Sequence, residues 1–175
     1  MSKTLLKKIT METCGGESRA YPGIGCVYVL GTAELTEEES AMLTDAGGNA
    51  AGRNVRVPLK IGYDKTEVIL EFYEILAAAT VLVECDSVEV YGELCYPDLE
   101  EMVDAVKALP NSVCAELFKG MTDEEIEETV VDAGLCEEID RQCAHVLKAA
   151  VEKACNAAGI PFENLKFKPY SMWED

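Results

Sequence analysis

A single histidine, His145, limits the base-assisted chemistry open to this chain. A Ser-His-Asp or Cys-His arrangement would have to use it as its base. The helix predicted around it puts Cys143 two positions away and on a different face, so only a thiol from elsewhere could reach the imidazole. Eight cysteines stand at 14, 26, 85, 95, 114, 136, 143 and 155, with no CxxC pair among them. Cys136, Asp140 and Cys143 share one helix face at i, i+4 and i+7, but a tetrahedral metal site needs a fourth ligand and no spacing marks one. The cysteines therefore read as reduced thiols packed as small apolar groups, and no metal is expected.

Cofactor motifs fail on inspection. Gly23-Ile24-Gly25 opens like a dinucleotide fingerprint, yet Tyr28 stands where the third glycine belongs, and the run precedes a strand instead of following one. No P-loop and no calcium-loop ligand ladder occurs, so no cofactor is expected. Carboxylates are so abundant that an acid/base pair of the glycosidase kind carries no signal of its own. Such a pair also needs a pocket that raises one pKa, which sequence does not display.

The placement of those carboxylates is informative. The 175 residues carry 33 acids against 15 bases, net −18. Residues 84–140 hold 18 of the acids with only Lys107 and Lys119 beside them, net −16, whereas the chain before carries −3 and the chain after +1. On a helix, Asp123/Glu127, Glu124/Glu128 and Glu128/Asp132 would each repel by roughly a few tenths of a kcal/mol. A chain that tolerates this uses its charge for solubility or for a basic partner. The candidate contact residues are Glu89, Glu93, Glu100, Glu101, Asp123, Glu124, Glu125, Glu127, Glu128, Asp132, Glu137 and Glu138. Nucleic acid is excluded as a direct ligand, because counterion displacement needs a basic stripe and the one basic cluster is Lys3, Lys7 and Lys8. The converse fits better: carboxylates spaced about 5–6 Å along a helix can stand in for phosphates inside a protein channel. Four aromatics close the chain, Phe162, Phe167, Tyr170 and Trp173. They either dock on the protein's own core or, as with Tyr170 and Trp173, anchor a partner.

The elements that must position these groups read as α+β. Strands are predicted at Lys3–Thr13, Ile24–Thr32, Val55–Ile61 (an edge strand, since it contains Pro58), Val81–Glu84, Val88–Leu94 and Phe162–Lys168. Cys14–Gly23 reads as a turn-rich loop, and Gly47–Asn54 as a mobile glycine-rich connection. Glu89 and Glu93 could pair across strands with Arg56 and Lys60 if those strands are neighbours. Capping boxes at Thr36–Glu39 and Thr122–Glu125 open helices, the first ending near Gly47-Gly48 and the second stopped by Gly134. Asp64–Ala79 reads as a helix by its Glu67, Glu71, Glu74 spacing. Pro97 starts a helix that Pro110 ends, and the longest, Glu137–Ala158, is stopped by Gly159 and Pro161.

The expected fold is thus one α+β domain spanning 1–175, with a mixed or antiparallel sheet of five or six strands and four or five helices. A strand-rich part (1–95) precedes a helix-rich part (96–175). The longest apolar run, Ile75–Val83, is nine residues, too short for a membrane span, and Lys7-Lys8 cut off any apolar leader after Leu5-Leu6. A cytoplasmic, non-enzymatic binding protein is expected, one that inhibits a nucleic-acid-handling enzyme such as a nuclease by occupying its basic surface. The alternatives are a small enzyme using a cysteine or paired carboxylates, and an assembly subunit, including a homo-oligomer, whose acidity only solubilises it.

Overall fold

The computed structural model describes residues 9–49, 53–61, 66–109, 116–162 and 165–168. Among these residues seven strands form one mixed sheet: β1 (Thr10–Glu17), β2 (Gly25–Glu34), β3 (Ala46–Asn49), β4 (Arg53–Ile61), β5 (Thr66–Glu84), β6 (Ser87–Cys95) and β7 (Lys166–Lys168). Their order is β3-β5-β6-β2-β1-β7, with β4 on the far half of β5. All pairs are antiparallel except β1 with β7. Four helices stand among the described residues: α1 (Glu37–Met42), α2 (Leu99–Lys107), α3 (Asp123–Asp132) and α4 (Leu135–Ala158), the last being the longest. The α+β class, the mixed sheet and the long C-terminal helix are as expected. No helix among the described residues is long and apolar enough to cross a membrane.

The helix expected over Asp64–Ala79 is not formed by the described part of that segment, Thr66–Ala79. That part belongs to β5, a 19-residue strand whose far half pairs with β4 and whose near half pairs with β3 and β6. Val68, Leu70 and Phe72 are buried in the far half, and Ala77, Ala79 and Val81 in the near half. The inward parity therefore switches from even to odd. The switch coincides with a register irregularity opposite Arg53–Val55, the signature of a β-bulge. The glycine-rich segment is likewise structured at its start: Ala46–Asn49 is the edge strand β3, antiparallel to Ala78–Val81. The first helix accordingly ends at Met42, before the glycines. β1 runs on to Glu17, so the turn-rich loop begins at Ser18. Pro58 lies in an edge strand as expected, since among the described residues β4 pairs with β5 alone.

All three helices with side-chain caps carry reciprocal boxes: Thr36/Glu39, Asp98/Glu101 and Thr122/Glu125. Each box satisfies two otherwise orphaned N–H groups. Pro97 lies just before α2 and not in its first turn, since Asp98 is the cap. α4 starts two residues earlier than expected, behind the left-handed Gly134.

The apolar side chains of β6 fall on alternate residues, and this alternation organises the molecule. Val88, Val90 and Leu94 are buried, and Gly92 lies between them on the same side. A Cβ on Gly92 would come within 2.8 Å of Val151 and 3.1 Å of Leu147, both on α4. Glycine here lets the helix seat directly on the sheet. Burying each such Val or Leu is worth about 1.5–3 kcal/mol. Glu89, Tyr91, Glu93 and Cys95 must then point to the other face, away from α4.

Candidate functional site

Two groups of candidate residues emerge, on opposite sides of the sheet. The first lies on the face that α4 leaves uncovered. The segment after β1 turns back on itself: the Ser18 N–H donates to the Ile24 carbonyl at 2.8 Å, and the Gly23 N–H to Glu17 Oε1 at 2.6 Å. Gly23 holds φ +85°, a conformation that favours glycine. The turn leaves three donors facing the sheet, and Glu93 accepts all of them. Ser18 Oγ donates to Glu93 Oε1 at 2.8 Å, the Arg19 N–H to Oε2 at 2.8 Å and the Ala20 N–H to Oε1 at 3.1 Å. Tyr91 Oη adds a fourth bond, to Oε2 at 2.8 Å.

Glu93 is only 4% exposed. Burial on its own would raise the carboxyl's pKa, but the bonds from Tyr91, Ser18, Arg19 and Ala20 outweigh it and hold the group below its ordinary value. It is thus an ionised carboxylate saturated by donors, shaped to hold a loop and not to exchange protons. Burial, and then the bond to Glu93, push the Tyr91 phenol up, so it stays a donor at neutral pH. The Arg19 guanidinium carbon sits 3.8 Å from the centre of the Tyr91 ring, a cation–π contact. The same side chain pairs with Glu89 at 3.0 Å. Tyr28 stacks on Tyr91 with centroids 5.9 Å apart and planes at 26°.

Glu89 and Glu93 therefore do not pair with Arg56 and Lys60. β4 and β6 both pair with β5 but along different stretches of it, so Arg56 faces Glu71, with Nε 3.2 Å from Oε1, and Lys60 faces Glu67.

The second group lies on the helical layer. Glu100 and Glu101 on α2, Asp123, Glu124, Glu125, Glu127, Glu128 and Asp132 on α3, and Glu137 on α4 are exposed. α3 buries only Ile126 and Val130, which leaves its carboxylates around the solvent side. Among the described residues, α3's one ion pair is Asp123 with Lys107 of α2. Glu138 is half-buried and held by Arg141, through Nε at 3.0 Å and Nη2 at 2.5 Å, and by Gln142 at 2.8 Å. The bonds from Arg141 hold its carboxyl below the ordinary range.

His145 is exposed while Cys143 is buried, so the two occupy different faces of α4. Burial pushes the thiols of Cys143 and Cys155 up to about 12, and those of Cys26 and Cys136 up to about 11. Protonated thiols of this kind are poor nucleophiles. Among the described residues no three His, Cys, Asp or Glu side chains come together as a metal site. Phe162 is buried and Phe167 half-buried, both against the core. Tyr170 and Trp173 lie outside the described residues.

Sequence reasoning missed Ser18, Arg19 and Tyr91. Their link to Glu93 spans 75 residues for Ser18, and no local spacing encodes it. The fold and these two groups define an α+β protein with helices on one sheet face and a loop latched to the other. No family model, no curated protein and no solved structure matches the chain.

Proposed function

We propose that this protein is a non-enzymatic binding protein that works in the cytoplasm by presenting the acidic layer of α2, α3 and the start of α4 to a basic surface on another protein. The partner class that suits such a layer is a nucleic-acid-handling enzyme, a nuclease for instance, which the protein inhibits by covering its phosphate path. One observation carries this reading: the six exposed carboxylates of α3 face a single base among the described residues, Lys107. Helical carboxylates stand roughly 5–6 Å apart, dense enough to compete with a backbone carrying one charge per about 1.7 Å of duplex axis. Glu93 and Glu89 belong to the loop latch and not to this surface.

The test uses the triple reversal Glu124→Lys, Glu127→Lys and Glu128→Lys, which spares the capping residue Glu125. Immobilised parent protein is expected to retain nucleic-acid enzymes from a native lysate and release them as salt rises. A retained enzyme, once purified, should lose activity when the parent protein is added and regain it with excess DNA or RNA. The triple variant should retain none of them. Identical capture and inhibition by parent and variant would overturn the reading.

A further inference from the structure

Two cysteines of the sheet face turned away from α4 stand opposite each other. β2 and β6 pair Val27 with Leu94. Continued by one residue, that antiparallel register sets Cys26 against Cys95. Their neighbours agree, since Gly16 lies beside Cys26 on β1 and Leu76 beside Cys95 on β5. Cys95 shares parity with Glu93 and Tyr91, and Cys26 with Tyr28, so both project to the same face. The charge that the Cys95 thiol would carry is felt by Cys26. Directly opposed antiparallel residues have Cα atoms about 4.5–5.5 Å apart, within the roughly 4.4–6.8 Å that a disulfide spans. Cys95 is half-buried, whereas Cys26 is fully buried. The side chain of Ser18, the residue that latches the loop to Glu93, lies at the Cys95 thiol.

We propose that Cys26 and Cys95 are a disulfide-forming pair that staples β2 to β6 beneath the latched loop. The accessible partner reacts first. Cys95, as thiolate, attacks one sulfur of a small-molecule disulfide such as oxidised glutathione. The reagent's S–S bond breaks, and one glutathione thiolate leaves and takes up the proton Cys95 gave away. Cys26, as thiolate, then attacks the Cys95 sulfur of the mixed disulfide and expels the second glutathione, which takes the proton from Cys26. Two protein thiols are oxidised by two electrons and one reagent disulfide is reduced to two thiols. Burial raises both thiols, so the closure is slow near neutrality and quickens as pH rises.

The full chain is incubated with oxidised glutathione at mildly alkaline pH and then acid-quenched; the peptides carrying Cys26 and Cys95 should together lose the mass of two hydrogens, whatever adduct the exposed Cys85 takes up. A non-reducing digest should yield one Cys26–Cys95 cross-linked peptide pair. The Cys26→Ser variant should stop at a glutathione adduct on Cys95, and Cys95→Ser should give neither product from Cys26. The oxidised parent should melt above the reduced parent, because the link closes a long loop. A stable glutathione adduct on Cys95 in the parent protein would overturn the proposal, as would a link from either cysteine to any other. The parent's own peptide map decides the matter even if a serine variant folds poorly.

Discussion

Glu93 and the carboxylates of α3 come from the same acidic stretch of sequence, and the fold puts them to opposite uses. Glu93 is 4% exposed and receives four hydrogen bonds; Glu124, Glu127 and Glu128 are exposed on a helix with a hydrophobic stripe on its other side. The difference lies in what each group can find to replace water. Glu93 sits on a strand face over which a turn folds its own N–H groups, and those donors more than repay its desolvation. Glu124, Glu127 and Glu128 have no such donors among the described residues and remain hydrated, despite mutual repulsion. Charge density in sequence thus says little about charge density at a surface: what decides is whether nearby backbone presents donors.

The most direct way to break this comparison is Glu93→Ala. It would leave the Ser18 and Tyr91 hydroxyls and two backbone N–H groups without their acceptor, and a destabilisation of about 3–4 kcal/mol is expected in denaturant unfolding, since each buried orphan costs roughly 1–3 kcal/mol and relaxation recovers part. A loss below about 1 kcal/mol would show that water serves the loop as well as Glu93 does. Glu93→Gln is gentler, about 2 kcal/mol near neutral pH, and it tests the charge itself. The folded carboxyl titrates below its ordinary 4.5, so its stabilisation is complete above that value and is lost as pH falls through the lower folded-state value. The gap between parent and Glu93→Gln should therefore narrow on acidification from about pH 7 towards about pH 3; a constant gap would mean the charge contributes nothing. Tyr91→Phe removes one donor of four and leaves the aromatic face for Arg19, so about 1–1.5 kcal/mol is expected.

The comparison also separates what was legible in sequence from what was not. Capping boxes at Thr36 and Thr122 were readable because donor and acceptor lie three residues apart. The α4 stripe, with Ile139, Cys143, Val146, Leu147, Ala150 and Ala154 all buried, was readable because one helix imposes its own period. β5 was misread for a physical reason. Its bulge splices two alternating stretches out of phase, and across the splice Leu70, Leu76 and Ala77 fall near helical spacing. Two independent period-two signals then imitate one period of 3.6. The Glu93 latch was invisible because three of its four donors, from Ser18, Arg19 and Ala20, lie more than 70 residues away. No composition distinguishes a glutamate that will be buried from its exposed neighbours.

On the helical side the effects shrink as solvent takes over. Thr122→Ala should cost about 1 kcal/mol, because it strips the cap of α3 while leaving every carboxylate in place. The combined Glu124→Lys and Glu128→Lys change should do less, because its parts oppose one another. The repulsive i, i+4 pair between these two positions stays repulsive with its sign reversed. Glu128→Lys turns the clash with Asp132 into an attraction, whereas Glu124→Lys puts a positive charge in the first turn, at the positive end of the helix dipole. A net change within about 0.5 kcal/mol is expected, read as a small shift in unfolding midpoint that disappears at high salt. A loss as large as that of Glu93→Ala would mean that the α3 carboxylates are as structurally committed as Glu93, and the surface would no longer be free to serve a partner.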